Sequence, residues 1–303
     1  MENTELINEI QRLKKEKNVV ILAHNYVTLD VQDIADFVGD SLQLSIEASK
    51  VKADIIIFCG VKFMAETAKI LSPKIKVLLP VEDAGCPMAD MITGEQLRQF
   101  KNNHPNSIVI CYVNSTAEVK AESDICCTSS NAVKIIQSVP RDKKILFVPD
   151  QNLGTYAQHQ TGRNIIVWDG YCPIHHLKMS KSDVLRVKKE HPKHKLLVHP
   201  ECPTEIVKYA DVVSSTKGMA DYAKEHDNLI IGTEVGLYEQ IKRDNPGKSI
   251  VPLAINAVCA DMKKVTLEDV LRSLQDETFE ITMSEDLRLA AKRSIDAMLE
   301  FSK

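Results

Sequence analysis

Three short polar triplets, His24-Asn25-Tyr26, Tyr112-Val113-Asn114 and His199-Pro200-Glu201, each close an apolar run and each precede a hydroxyl residue at one fixed distance. Ser41, Ser129 and Thr216 stand 17 residues after the first residue of their triplets (24 to 41, 112 to 129, 199 to 216). The runs that lead into the triplets, 19–23, 108–111 and 196–198, are apolar on both alternating faces, as in fully buried strands. Equal spacing in three segments that otherwise differ strongly marks an internal repeat. Its period is too long for a solenoid, so whole domains are repeated rather than single turns of a stacked array.

The cysteines follow the same period. Cys86, Cys172 and Cys259 are separated by 86 and 87 residues (86 to 172, 172 to 259), and each comes just after an apolar run, 77–79, 165–167 or 250–253. Between triplet and cysteine every copy holds two more strand-like runs, 35–39 and 55–58, 123–127 and 145–148, 210–213 and 229–231, separated by helical stretches. Strand and helix alternate, and the strands are too apolar for a one-sided sheet, so the fold class is α/β with parallel sheets covered on both faces. A chain of 303 residues exceeds the usual single core. The expectation is three homologous four-stranded αβα sandwiches around a pseudo-threefold axis. The first spans 1–92 with an amphipathic helix over 5–17, the second 93–180 and the third 181–265. Two further helices, within 266–303, are expected to pack back on the first unit.

Net charge is −4 and the lysines and arginines form no long run, so nothing in the chain matches a nucleic-acid backbone and small-molecule partners are favoured. Residues 1–5 are polar and acidic, without a signal-type apolar region, and no apolar run reaches membrane-spanning length; the expected location is cytoplasmic. In that reducing compartment the eight cysteines are expected to be thiols or metal ligands rather than disulfides.

In open parallel sheets ligands bind beyond the carboxyl ends of the strands, and every residue singled out so far falls at such an end. Ser41, Ser129 and Thr216 precede helical stretches, where a hydroxyl can cap free N–H groups or help bind a carboxylate or phosphate. Three repeat-matched thiolates suit a [4Fe–4S] cluster or zinc, with His175 as a candidate fourth ligand or the fourth corner open. An open iron would act as a Lewis acid for loss of water, with Tyr26, Tyr112, His24, His199 and Glu201 as proton-transfer groups around it. Cys59, Cys111, Cys126, Cys127 and Cys202 read as small buried hydrophobes, the Cys126-Cys127 pair included. The loop Gly232-Thr233-Glu234-Val235-Gly236 lacks a phosphate-loop or dinucleotide fingerprint.

Several stretches in order, Ala23-His24-Asn25-Tyr26, Gly39-Asp40-Ser41, Phe63-Met64-Ala65-Glu66-Thr67-Ala68, Tyr112-Val113-Asn114-Ser115, Cys127-Thr128-Ser129-Ser130-Asn131-Ala132, His199-Pro200-Glu201-Cys202 and Cys259-Ala260-Asp261-Met262-Lys263-Lys264, resemble the quinolinate synthase family over essentially the whole length. The resemblance implies condensation of iminoaspartate with dihydroxyacetone phosphate to quinolinate, phosphate and water in NAD biosynthesis. It also implies a [4Fe–4S] cluster held by Cys86, Cys172 and Cys259 with one iron open to substrate. The family's substrate contacts carry over to His24, Tyr26, Ser41, Tyr112, Asn114, Ser129, His199, Glu201 and Thr216, with Tyr26, His199 and Glu201 assigned to proton transfer. A separate enzyme is implied as the source of iminoaspartate. Some relatives have a C-x-x-C-x-x-C arrangement at the third ligand; here Cys259 stands alone, and a redox switch there is not supported. The alternatives from other classes are a [4Fe–4S] hydro-lyase acting on another small carboxylic acid and a non-catalytic cluster-binding redox sensor.

Overall fold

A computed structural model describes residues 3–301. The first sheet holds β1 (Val19–His24), β2 (Phe37–Gly39), β3 (Ile55–Cys59) and β4 (Lys76–Leu78). The second holds β5 (Ser107–Tyr112), β6 (Ile125–Cys127), β7 (Lys144–Val148) and β8 (Ile165–Val167), and the third β9 (Lys195–Val198), β10 (Val212–Val213), β11 (Asn228–Gly232) and β12 (Ser249–Pro252). All pairings between these strands are parallel, and the three sheets share one order, β2-β1-β3-β4, β6-β5-β7-β8 and β10-β9-β11-β12. The expected α/β class with three four-stranded parallel sheets is what the chain forms. In this order the chain reverses direction across the sheet between the first and third strands, so the crevice that binds ligands in such sheets opens beside the carboxyl end of each first strand.

The repeat extends to single hydrogen bonds. Asp36, Asp124 and Asp211 each accept, through their carboxylates, the N–H of the residue fifteen positions earlier: Ile21 at 2.8 Å, Val109 at 2.7 Å and Leu196 at 2.8 Å. Their own main-chain N–H groups donate back to the carbonyls of the same three residues at 2.9, 3.1 and 2.8 Å. One aspartate per sheet thus fixes the register of the outer strand against the first and satisfies an edge N–H that would otherwise be unpaired.

Packing gathers the described residues into two compact units. One contains the first sheet and runs through Cys86, with Cys259–Leu289 added; the other is Pro87–Val258, with the second and third sheets, and the described residues from Ala290 onward. In the first unit the amphipathic helix Asn3–Glu16 turns Leu6, Ile10 and Leu13 onto Leu267, Val270, Leu271 and Leu274 of the helix Leu267–Asp276. Each aliphatic side chain buried this way stabilises by about 1.5–3 kcal/mol. The segment that follows crosses the open edge of β4: Leu79 donates its N–H to Phe279 at 3.2 Å and Ile281 to Val77 at 2.8 Å, an antiparallel bridge that covers the exposed strand edge. No helix among the described residues is long and apolar enough to cross a membrane.

Glu277 ends the helix Leu267–Asp276 in the left-handed region, φ 52°, where glycine or asparagine is the usual occupant. Its carboxylate meets Lys17 at 2.8 Å and Lys76 at 2.6 Å. The hydrogen bonds from those two ammonium groups bring its pKa down from 4.5 to about 2. A depressed carboxyl contributes stability that is present above pH 4.5 and is lost as the pH falls toward 2. The side chain is 30% exposed, so the pairs together stabilise by about 1 kcal/mol at most. Glu277→Gln is expected to shift the urea midpoint down at about pH 7 and to differ less from the parent at about pH 4; an equal difference at both values would mean that charge plays no part.

Candidate functional site

In the second unit the carboxyl ends of β5 and β9 bring Tyr112 and Glu201 together across 89 residues of sequence. The Tyr112 hydroxyl donates to Glu201 Oε1 at 2.5 Å, and His175 Nδ1 lies 2.7 Å from Glu201 Oε2. His175 sits in the short helix Pro173–Leu177, whose start is set by Pro173 at the first helical position directly after Cys172. The same Nδ1 is 3.3 Å from Cys172 Sγ, while Nε2 is 2.8 Å from Thr233 Oγ1 at the end of β11. The His199 ring stacks on that of His175 with centroids 4.7 Å apart, and His199 Nδ1 lies 3.8 Å from Glu201 Oε1. Cys172, His175 and Glu201 therefore present a sulfur, a ring nitrogen and a carboxylate oxygen within 4.8 Å of one another, a group able to hold a metal ion. The sequence reading considered His175 only as a metal ligand; the structure shows it also bridging Glu201 and Thr233.

The electrostatics of this group follow from burial and neighbours. Burial alone would raise the Glu201 carboxyl, but the charges of His175 and His199 and the hydrogen bonds from His175 and Tyr112 outweigh it and hold the group well below the usual glutamate range. Burial first, and repulsion by His175 second, push His199 down to about 3 despite the attraction of Glu201. At neutral pH the pair is thus an ionised carboxylate beside a neutral imidazole, two groups able to accept protons. Asn114 lies two residues past β5, and its Oδ1 is buried with no hydrogen-bond partner, an acceptor that a ligand donor would satisfy.

In the first unit His24 closes β1 and Tyr26 follows it. The Tyr26 N–H donates to His24 Nδ1 at 3.2 Å, and the two rings meet edge to face with centroids 4.6 Å apart. Lys263 Nζ donates to the Tyr26 carbonyl, and its N–H donates to the Cys259 carbonyl at 3.2 Å. Lys264 Nζ donates to the Asp83 carbonyl at 2.7 Å, in the loop that carries Cys86. The paired lysines after Cys259 therefore tie its turn to Tyr26 on one side and to the Cys86 loop on the other.

The hydroxyl residues do not cap their helices. Asp40 caps Ser41–Ala48 in a reciprocal box with Gln43, and Ser215 caps Thr216–Glu225 through the Gly218 N–H, which leaves Ser41 and Thr216 as the first helical residues. Asn131 is the residue before Ala132–Ser138, two positions after Ser129. Capping, the plain reading of these hydroxyls, is done by a neighbour at Ser41 and Thr216, while Asn131 makes no side-chain capping bond to its helix.

The eight cysteines divide cleanly. Cys59, Cys111, Cys126, Cys127 and Cys202 are buried, as expected of small hydrophobes, and Cys86, Cys172 and Cys259 are partly exposed. Cys126 and Cys127 are consecutive in β6 and so point to opposite faces of the sheet; Cys126 Sγ donates to Ser294 Oγ at 3.3 Å.

Asp150, Asn152 and Thr233 are not among the residues that the repeat marks. All three follow the carboxyl ends of third strands, β7 and β11, whereas the triplets, hydroxyls and cysteines of the repeat mark the ends of first, second and fourth strands. The same rule about strand ends, applied to the third strands, would have found them.

Residues 8–300 match the protein family described as NadA, quinolinate synthetase A protein. The quinolinate synthase of Alkaliphilus metalliredigens is 52% identical over 303 residues, 99% of each chain. That of Dehalococcoides mccartyi (strain CBDB1) is 51% identical over 97% of this chain and 98% of its own. Quinolinate synthase 2 of Methanosarcina acetivorans is 49% identical over 100% of this chain and 97% of its own.

Proposed function

The chain belongs to the quinolinate synthase family, and we propose that it condenses iminoaspartate with dihydroxyacetone phosphate to quinolinate, releasing phosphate and water, as a step of NAD biosynthesis. The observation that carries this reading is the buried Tyr112–Glu201–His175 chain ending on Cys172. An isomerisation, a ring closure and two losses of water need several proton donors and acceptors in one dry place.

The donor set suits a [4Fe–4S] cluster held by Cys86, Cys172 and Cys259: three thiols outside the buried set, one per repeat, with five others too buried to serve. Such a cluster, with one iron left without a protein ligand, supplies Lewis acidity toward a carboxylate or hydroxyl oxygen. The remaining work falls to the chain's side chains. Glu201, ionised, takes a proton and returns it, with Tyr112 and His175 holding its two oxygens in place. His199, neutral at working pH, is a second acceptor beside it, and Tyr26, fixed against His24 and Lys263, is a donor. Ser41, Ser129 and Thr216, at or just ahead of helix N-termini where the dipole favours negative charge, bind carboxylate or phosphate oxygens together with His24 and Tyr112. Asn114 Oδ1 accepts a substrate N–H or O–H.

Iminoaspartate hydrolyses readily, so an enzyme that makes this imine is the functional partner. A cluster on partly exposed thiolates suits the reducing cytoplasm. Full-length similarity to proteins that share one activity favours this reading over a hydro-lyase of another acid or a sensor. The direct test is the anaerobically purified protein with iminoaspartate generated in situ and dihydroxyacetone phosphate. Quinolinate and phosphate should form in equal amounts; protein loaded with iron and sulfide that forms no quinolinate would overturn the proposal.

A further inference from the structure

Outside the residues assigned to substrate or cluster, one short stretch touches both halves of the second unit's site. The helix Gln151–Thr161 is capped by Asp150, which is fully buried. Asp150 Oδ1 accepts the Leu153 N–H at 2.6 Å, the ordinary capping bond, while Oδ2 accepts the main-chain N–H of Cys172 at 3.1 Å. The two strands of chain are joined further: the Gln151 N–H donates to the Gly170 carbonyl at 2.7 Å. A side chain at position 170 would place its Cβ 2.5 Å from the Pro149 carbonyl, so only glycine allows this approach.

Two residues along, Asn152 Nδ2 donates to the main-chain carbonyl of Glu201 at 2.9 Å and lies 3.0 Å from His176 Nδ1. His176 neighbours His175 in the helix Pro173–Leu177 and stacks on Tyr171, with ring centroids 4.3 Å apart. One turn of helix therefore grips the cysteine loop with one side chain, and the carboxylate triplet and the histidine helix with the other. A rigid helix start is better suited than a loop to hold such a distance.

We propose that Asp150 and Asn152 are positioning residues for the reaction: Asp150 sets the Cys172 loop, and Asn152 sets Glu201 relative to His175. This inference rests on the reading of Cys172 as a cluster ligand and Glu201 as a proton acceptor. The two side chains act on different groups, so their loss should appear in different measurements. Asp150→Asn keeps a good helix cap but has one acceptor oxygen where the carboxylate has two, so Leu153 and Cys172 can no longer both be served. Loss of such a supporting bond typically lowers metal retention about 10–100-fold.

The experiment compares the parent with Asp150→Asn, Asn152→Ala and a control, Gln151→Ala, whose side chain reaches only the exposed Asp169 carboxylate. Asp150→Asn should lose iron to a ferrous chelator about tenfold faster or more, with an altered electron paramagnetic resonance signal of the reduced protein and unchanged helix content. Asn152→Ala should keep the parent's iron content and chelation rate, and its kcat should fall about tenfold with KM little changed. Gln151→Ala should match the parent throughout. Equal chelation rates for Asp150→Asn and parent would overturn the role of Asp150; an unchanged kcat in Asn152→Ala, or one damaged in parallel with iron content, would overturn that of Asn152. Should Asp150→Asn not accumulate folded, Asp150→Ser also caps the helix and withdraws the acceptor from Cys172. Parent protein that holds no iron or makes no quinolinate would instead refute the underlying reading of the site.

Discussion

Serine at Cys86, Cys172 or Cys259 is expected to abolish both cluster and turnover, whereas serine at any of the five buried cysteines is expected to leave the cluster in place. Iron and sulfide analysis of anaerobically purified protein measures it directly: about four of each per chain in the parent, and close to none in each of the three variants. The contrast is physical. Cys86, Cys172 and Cys259 are partly exposed, and a serine alkoxide is a poor ligand for iron that favours thiolate. Cys202, by comparison, is 1% exposed and burial drives its thiol pKa upward, so it is a poor source of thiolate. Cys202→Ser buries a hydroxyl and should cost about 1–3 kcal/mol of stability with iron unchanged. Full iron in Cys172→Ser would remove the three-cysteine cluster from the proposal.

The second large effect is expected at Glu201. Glu201→Gln preserves shape but removes the charge that Tyr112 and His175 bracket at 2.5 and 2.7 Å. The new amide has one donor end, which must face either the tyrosine hydroxyl or the His175 ring nitrogen. Loss of a general base typically lowers kcat about 10²–10⁴-fold, and breaking a buried pair on one side costs about 3–5 kcal/mol of stability. Iron content should be unchanged, since Glu201 is not assigned to the cluster. Single-turnover quinolinate formation and a denaturant titration read the two effects separately. A variant within a few-fold of the parent rate would exclude Glu201 from proton transfer.

Much of this is legible in the sequence alone. Strand positions followed from apolar runs because a strand buried on both faces can hardly be anything but apolar. The placing of His24, Tyr112 and His199 followed from the rule that parallel sheets present their carboxyl ends to ligands. Spacing alone leaves open whether these hydroxyls cap: Ser41 and Thr216 stand next to the capping positions, and Asp40 and Ser215 fill them. Polar residues in succession compete for the same N–H groups, and the winner depends on backbone angles that no spacing specifies. Asp150 and Thr233 were missed for a related reason, since their importance lies in partners at Cys172 and His175, 22 and 58 residues away.

The sequence by itself determined the threefold repeat, the parallel sheets and the polar residues that close the strands, because these depend on periodicities of a few residues and on one interval repeated along the chain. Only the tertiary structure decided which of those side chains meet. That Tyr112 bonds Glu201, that His175 turns toward both Glu201 and Thr233, and that one helix turn bonds both the Cys172 N–H and the Glu201 carbonyl are outcomes of how sheet ends pack. Side chains close in space but tens of residues apart leave no periodic trace in the chain, and a single chain contains no other record of their contact.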